Sequence, residues 1–271
     1  MLHIQAQQRG PSLQSLLILA GLWIWLDTGC MAAPRSSTTM QPSESLPGIV
    51  GKDDRVPLDS TQWPWQAIGR INQPEAVGHC SGTLVGPALV LTAAHCFYNE
   101  RAGRWYEAND VVFVANPRRD EDSGFSRGKR IIKSRTKPPQ GTLDSIMEDW
   151  ALLELETPLK VRPIPIQPLG AAELQSNQAK QLATGGYPQD RPYLLDLDPV
   201  CGIQTVQADG RVFETDCDST KGDSGAPLLM KSGKDYVVVG VFSAATQANA
   251  TDAHSFAVNA ETFASQLPTK R

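Results

Sequence analysis

The sequence predicts a mainly β fold: two packed antiparallel β-barrels of six strands each, followed by a short C-terminal helix. Three observations carry that expectation. Beyond residue 48 no long stretch holds an apolar period near 3.6, which excludes long amphipathic helices. Short β-branched and aromatic runs recur instead between Gly, Pro and Asn, in a chain of 271 residues with 22 Gly and 20 Pro. About a dozen such runs in two groups suit two barrels better than one sandwich.

In chain order, the first group of expected strands is Trp65–Ile71, Thr83–Leu91, Val111–Val114, Arg130–Lys133 and Trp150–Leu155. A Pro-rich stretch from Pro158 to Pro168 separates the groups. The second group is Gln181–Gly185, Ile203–Val206, Arg211–Glu214, Pro227–Met230 and Tyr236–Ser243. Asp209-Gly210 is a turn pair between two of these runs and predicts a hairpin from Cys201 to Cys217. Ser232-Gly233-Lys234 marks another turn. Helical turns are expected only near Ala93–Phe97, Ala171–Gln175 and Ala260–Leu267. The alternating basic run from Arg127 to Lys137 reads as one solvated strand face.

The N-terminus reads as an export signal. Arg9 supplies positive charge, and Leu16–Leu26 is an unbroken apolar run of 11 residues, short of the roughly 20 needed to span a bilayer. Small residues follow, and a cut after Ala32 places Cys30 at the −3 position. Residues 1–32 are thus an expected signal peptide, with an uncleaved anchor as the alternative. Residues 33–48 have the Pro, Ser and Thr composition of a linker or pro-segment. The remainder, 49–271, is expected to be one domain, with no stable membrane span after cleavage. This predicts a secreted or periplasmic protein. Losing Cys30 leaves Cys80, Cys96, Cys201 and Cys217, an even set that suggests two disulfides in an exported chain, with three connectivities open. Pairing neighbours would close two loops of 16 residues, worth on the order of 3 kcal/mol each.

Composition narrows the function. Hydrophobic content of 41% with 20% charged residues excludes a disordered chain, and a net charge of −4 gives no nucleic-acid footprint. No metal-ligand spacing or phosphate-binding glycine loop appears, so neither cofactor nor metal is expected. Two segments carry chemistry instead. Leu91-Thr92-Ala93-Ala94-His95-Cys96 follows one strand, and Lys221-Gly222-Asp223-Ser224-Gly225-Ala226-Pro227 opens another. Acyl transfer by a serine needs a base in hydrogen-bond reach, a carboxylate to orient that base, and donors facing the developing oxyanion. Glycines flanking a serine let the backbone turn tightly and aim its N–H groups.

These residues resemble the histidine and serine motifs of the trypsin-like (chymotrypsin-fold) serine peptidases. Glu148-Asp149-Trp150-Ala151-Leu152-Leu153 is similar to the family's acid motif, and the order His95, Asp149, Ser224 matches. Cys80 and Cys96, bracketing the histidine segment, also fit the family. The resemblance covers about residues 49–265. It implies Ser224 as nucleophile, His95 as general base and Asp149 as its orienting acid, with Gly222 and Ser224 N–H groups forming the oxyanion hole. It places Ser243 beside the acid and the substrate backbone. Asp218, Ser219 and Ala245 fall at substrate-pocket positions.

Specificity and activation read less directly. Gly51-Lys52-Asp53-Asp54-Arg55 looks more like the bacterial glutamyl-endopeptidase (V8-like) branch, whereas Asp223 before the serine is the animal-type residue. Asp218 is where trypsin-like enzymes hold a carboxylate for P1 Lys or Arg, so a basic P1 is favoured over an acidic one. Phe242 stands where V8-like enzymes keep a histidine. The run Ile49-Val50-Gly51 implies cleavage after Gly48 and an Ile49–Asp223 ion pair. The expected partners are a protein or peptide substrate, and a processing protease or inhibitor; the expected state is a monomer. The competing reading is a catalytically silent peptidase-fold binding or adhesion protein. His79 and His254 are expected to be structural.

Overall fold

The computed structural model describes residues 46–74, 78–246 and 253–267. The expected signal peptide and nearly all of the expected linker lie outside these residues.

A first barrel closes from six strands in the order β2-β3-β4-β9-β8-β7. Its members are β2 (Ile68–Asn72), β3 (His79–Gly86), β4 (Leu89–Thr92), β7 (Val112–Ala115), β8 (Phe125–Lys133) and β9 (Ala151–Leu155). A two-stranded hairpin, β5 (Tyr98–Asn99) with β6 (Arg104–Trp105), stands outside it. The second unit is a curled sheet of eight strands in the order β1-β11-β10-β14-β15-β16-β13-β12. It comprises β1 (Val56–Leu58), β10 (Leu182–Gly186), β11 (Leu195–Cys201), β12 (Ile203–Gln207) and β13 (Val212–Thr215). Its remaining strands are β14 (Pro227–Ser232), β15 (Asp235–Ala245) and β16 (Ser255–Asn259).

The mainly β expectation holds as one closed six-stranded barrel and a curled half-barrel sheet, here of eight strands, with local adjustments. The expected strand Thr83–Leu91 is two strands, because Pro87 and Ala88 make a turn between β3 and β4, and Pro cannot donate to a ladder. Five strands were not expected: β1, β11, β16 and the two of the outlying hairpin, β5 and β6. β1 carries Pro57 at a sheet edge, where a missing N–H costs no ladder bond. β11 carries Asp196, Asp198 and Pro199, which read as loop residues. Both aspartates are buried and bonded: Arg191 donates to Asp196, and the Asp218 N–H donates to Asp198.

Helices are few and short. Residues Ala94–Phe97 form a 3-10 turn, Ala171–Leu174 one helical turn, and Glu261–Ala264 the C-terminal turn. A further turn at Leu143–Met147 is capped by Thr142, whose hydroxyl accepts the Ser145 N–H. The Phe263 ring packs 5.6 Å from Trp150, next to Asp149. The Cys201–Cys217 hairpin forms as expected, β12 pairing β13. Both neighbour disulfides, Cys80–Cys96 and Cys201–Cys217, are present. There are two apolar clusters: one around Phe97, Phe113 and Leu152 that reaches Leu229, Val241 and Val258 of the second sheet, the other around Phe213, Leu228 and Phe242.

Candidate active site

His95 rides the 3-10 turn that ends β4. Every residue of β4 is buried, and Cys96 is tied to β3 through Cys80, so the turn is fixed at both ends. Asp149 sits just before β9, 4% exposed. Its Oδ1 accepts the His95 backbone N–H at 2.7 Å, and its Oδ2 faces His95 Nδ1 at 2.6 Å. Ser243 Oγ, buried on β15, donates to the same Oδ2 at 2.6 Å. A carboxylate on Nδ1 assigns the proton there and leaves Nε2 as the accepting nitrogen.

The electrostatics agree with that assignment. Burial penalises a charged His95, but the charge of Asp149 and its hydrogen bond outweigh this and hold the imidazole pKa above 6.5. Burial likewise opposes the Asp149 carboxylate. The His95 charge and the bonds from His95 and Ser243 offset it and hold its pKa below 3.8.

Ser224 lies on a tight turn leading into β14. The Ala226 N–H donates to Asp223 O at 2.7 Å, and the Gly225 N–H donates to Phe242 O at 2.8 Å. Gly225 has φ +84°, and a Cβ there would lie 2.1 Å from Thr92 Oγ1 and 2.3 Å from Ser81 O. Only glycine lets the serine turn lie this close to the histidine segment. No hydrogen bond joins Ser224 Oγ to His95 among the described residues. Such contacts in ligand-free sites often tighten only when substrate binds.

A cavity of about 670 Å³ opens beside Ser224, walled by Ser219, Ser243, Ala245 and Lys221, together with Leu46 and Pro47. A smaller one of about 350 Å³ lies on the other side of His95, against the Cys80–Cys96 disulfide. Asp218 does not line the larger cavity. Its carboxylate accepts the Val50 N–H at 2.7 Å and the Asp54 N–H at 3.4 Å. Burial raises its pKa to about 6, against the pull of those two bonds.

Asp223 is buried, accepts the Thr220 N–H, and has no ion-pair partner among the described residues. Burial lifts its pKa to about 8. In the uncut chain the Ile49 N–H donates to Leu46 O. The ammonium expected at Ile49 would require a cut after Gly48. His79 Nε2 lies 2.6 Å from Tyr187 O and shares the smaller cavity with His95, while His254 is 3.4 Å from Glu214. The basic strand face carries Lys129 and Arg130 on Glu154.

Sequence reasoning missed Ser81, whose backbone and hydroxyl touch both catalytic segments. Its only local signal was a pair of hydroxyl residues, Ser81 and Thr83, in an otherwise apolar strand. It also missed Arg55, buried among Asp53, Asp190 and Asp196, which anchors the segment leading from Ile49 into β1.

The trypsin family model matches residues 53–266. Coagulation factor XI of Bos taurus is 24% identical over 67% of this chain and 32% of that protein. A glutamyl endopeptidase of Bacillus licheniformis is 37% identical over 60 residues, 22% of this chain and 18% of that one. The chain thus spans about a third or less of the curated relatives it matches. A solved structure of a Glu endopeptidase in complex with MPD superimposes with a TM-score of 0.63 at 18% identity, covering 80% of this chain and 98% of that one. That likeness concerns the fold. The family match covers both segments that carry chemistry and the acid between them, and the chain belongs to the trypsin family.

Proposed function

We propose that this chain is an exported serine endopeptidase. The observation that carries the reading is the buried line from Ser243 Oγ through Asp149 to His95, beside the Ser224 turn. In this mechanism His95 Nε2 takes the Ser224 hydroxyl proton as Oγ attacks the substrate carbonyl carbon. The oxyanion is received by the Gly222 and Ser224 N–H groups. His95 then passes the proton to the leaving amine as the C–N bond breaks, and water repeats the sequence on the acyl-enzyme. Asp149 keeps the imidazole in the productive tautomer and stabilises its charged form.

Export, with removal of residues 1–32, is supported by the two disulfides, which persist in oxidising compartments. Cleavage after Gly48 would create the Ile49 ammonium that the buried, unpaired Asp223 lacks. A monomer acting on protein or peptide substrates needs nothing further.

For specificity we favour P1 Lys or Arg, selected by Asp218 once its carboxylate is released from Val50 and Asp54. A second reading, acidic P1, draws on the cavity itself: its described lining carries Lys221 as the sole cation and Asp190, paired with Arg55, as the sole anion. The test is fluorophosphonate labelling beside Ser224→Ala, followed by a P1 library profile. Labelling that vanishes in the variant is expected. A folded, processed chain that takes no label would instead be a binding protein on a peptidase scaffold.

A further inference from the structure

We propose that Ser81 is a positioning residue for the oxyanion loop. Ser81 is fully buried on β3. Its Oγ donates to Gly222 O at 2.9 Å and accepts the Tyr187 N–H at 2.8 Å. Its backbone N–H donates to Ser224 O at 2.8 Å, and its carbonyl accepts from Thr92 Oγ1 at 2.7 Å. One residue of the first barrel therefore grips the loop of the second unit at Gly222 and at Ser224. The Lys221 carbonyl is separately held by the Gln189 N–H at 2.7 Å. With the peptide groups around them pinned, the Gly222 and Ser224 N–H donors cannot turn independently. Donors fixed in advance of the reaction are what make an oxyanion hole effective.

This inference rests on the serine-peptidase reading, and its test separates the two. Ser81→Ala in the processed enzyme removes the hydroxyl grip and leaves His95–Asp149 untouched. A misaimed donor should cost less than a deleted one, so kcat is expected to fall about 10- to 100-fold with KM nearly constant. Affinity for a peptide aldehyde, whose hemiacetal oxygen occupies the hole, should fall in proportion to kcat/KM. The acid limb of the pH profile should stay where it is. Ser81→Thr, which keeps the hydroxyl, should restore most of the rate. If Ser81→Ala fails to fold, Ser81→Cys, a weaker donor of similar size, replaces it. A variant with kcat within about twofold of wild type, or with unchanged aldehyde affinity, overturns the proposal. Turnover that survives Ser224→Ala overturns the underlying reading instead.

A separate observation carries a second inference: we propose that Leu46–Val50 is an intramolecular plug that narrows the substrate cavity without filling it, latched on Asp218 and Ser219. Leu46 and Pro47 stand on the cavity wall beside Ser224. The Gly48 carbonyl accepts the Ser219 N–H at 3.1 Å, and the next latch is Val50 on Asp218. Gly48 has φ +81°, and a Cβ there would meet Ser219 O at 2.0 Å and Ala245 Cβ at 2.6 Å. A residue with a side chain could not lie this close to the pocket wall. Moving Ile49 toward Asp223 after a cut would pull on Val50, and so would couple activation to release of the Asp218 carboxylate. This too rests on the peptidase reading.

The test is Gly48→Ala in the full chain, with residues 46–50 shown intact by mass spectrometry. The added methyl cannot fit, so the plug should lift and peptide turnover by the uncut chain should rise about tenfold or more. Should that variant not fold, Leu46→Ser with Pro47→Ser weakens the plug at exposed positions. Equal turnover by uncut wild type and variant, or uncut wild type as fast as processed enzyme, overturns the plug. Absence of Ser224-dependent turnover in the processed enzyme overturns the peptidase reading.

Discussion

Replacing Asp223 with Asn should change stability in a strongly pH-dependent way. Burial lifts the Asp223 pKa from 3.8 to about 8, with Asp196 and Asp190 adding to the rise; the Thr220 N–H and the Arg55 charge oppose it. A carboxyl raised in the folded state keeps a proton that the unfolded chain releases. Its stabilising contribution is complete below 3.8 and is lost as pH climbs through about 8. The loss runs at up to about 1.4 kcal/mol per pH unit. Asn mimics the neutral acid and loses nothing over the same range. The stability of Asp223→Asn relative to its parent should therefore grow by roughly 4 kcal/mol between pH 5 and pH 8.5, about 10 °C in Tm. The measurement is thermal unfolding of both proteins at the two pH values, in a Ser224→Ala background that prevents self-cleavage. A Tm difference that does not vary with pH would show that Asp223 is already ionised beside a cation, and the reasoning would fail. In processed enzyme the same substitution should instead abolish activity, because no carboxylate remains for the Ile49 ammonium.

Three other outcomes follow from the geometry. The base must be neutral to act and the His95 pKa is raised, so kcat/KM should rise with pH through a midpoint above 6.5; a midpoint at or below 6.5 in a kinetic pH profile contradicts the Asp149 pairing. Gly225→Ala should lose activity by at least about 100-fold, because its Cβ cannot coexist with Thr92 Oγ1 and Ser81 O; steady-state kinetics on the folded variant decides this. Replacing Cys201 and Cys217 together by Ser opens a loop of 16 residues, and should cost about 3 kcal/mol in denaturant unfolding while leaving the His95 limb unmoved.

The parts of the site that were legible in the sequence are those whose chemistry is contiguous. His95 and Ser224 each sit in a short segment where neighbouring residues serve the same turn, and Asp149 was found because Ala151 and Leu153 alternate into a strand behind it. What stayed hidden is held across the chain. β11 reads as loop because Asp196 and Asp198 disfavour a buried strand. It forms because Arg55 and Arg191 meet Asp196, and because the Asp218 N–H meets Asp198. The role of Asp218 shows the same limit. Its sequence position points to a pocket carboxylate, yet in the uncut chain it is held by backbone donors from Val50 and Asp54, residues no local pattern connects to it. Asp198, Asp218 and Asp223 all have raised pKa values, about 7, about 6 and about 8. Burial is the first cause of all three rises, and the nearby cation Arg55 is already committed to Asp53, Asp190 and Asp196. A chain cut beside Ile49 would generate one further cation. That charge imbalance, invisible in a net charge of −4, is what an ammonium at Ile49 would relieve.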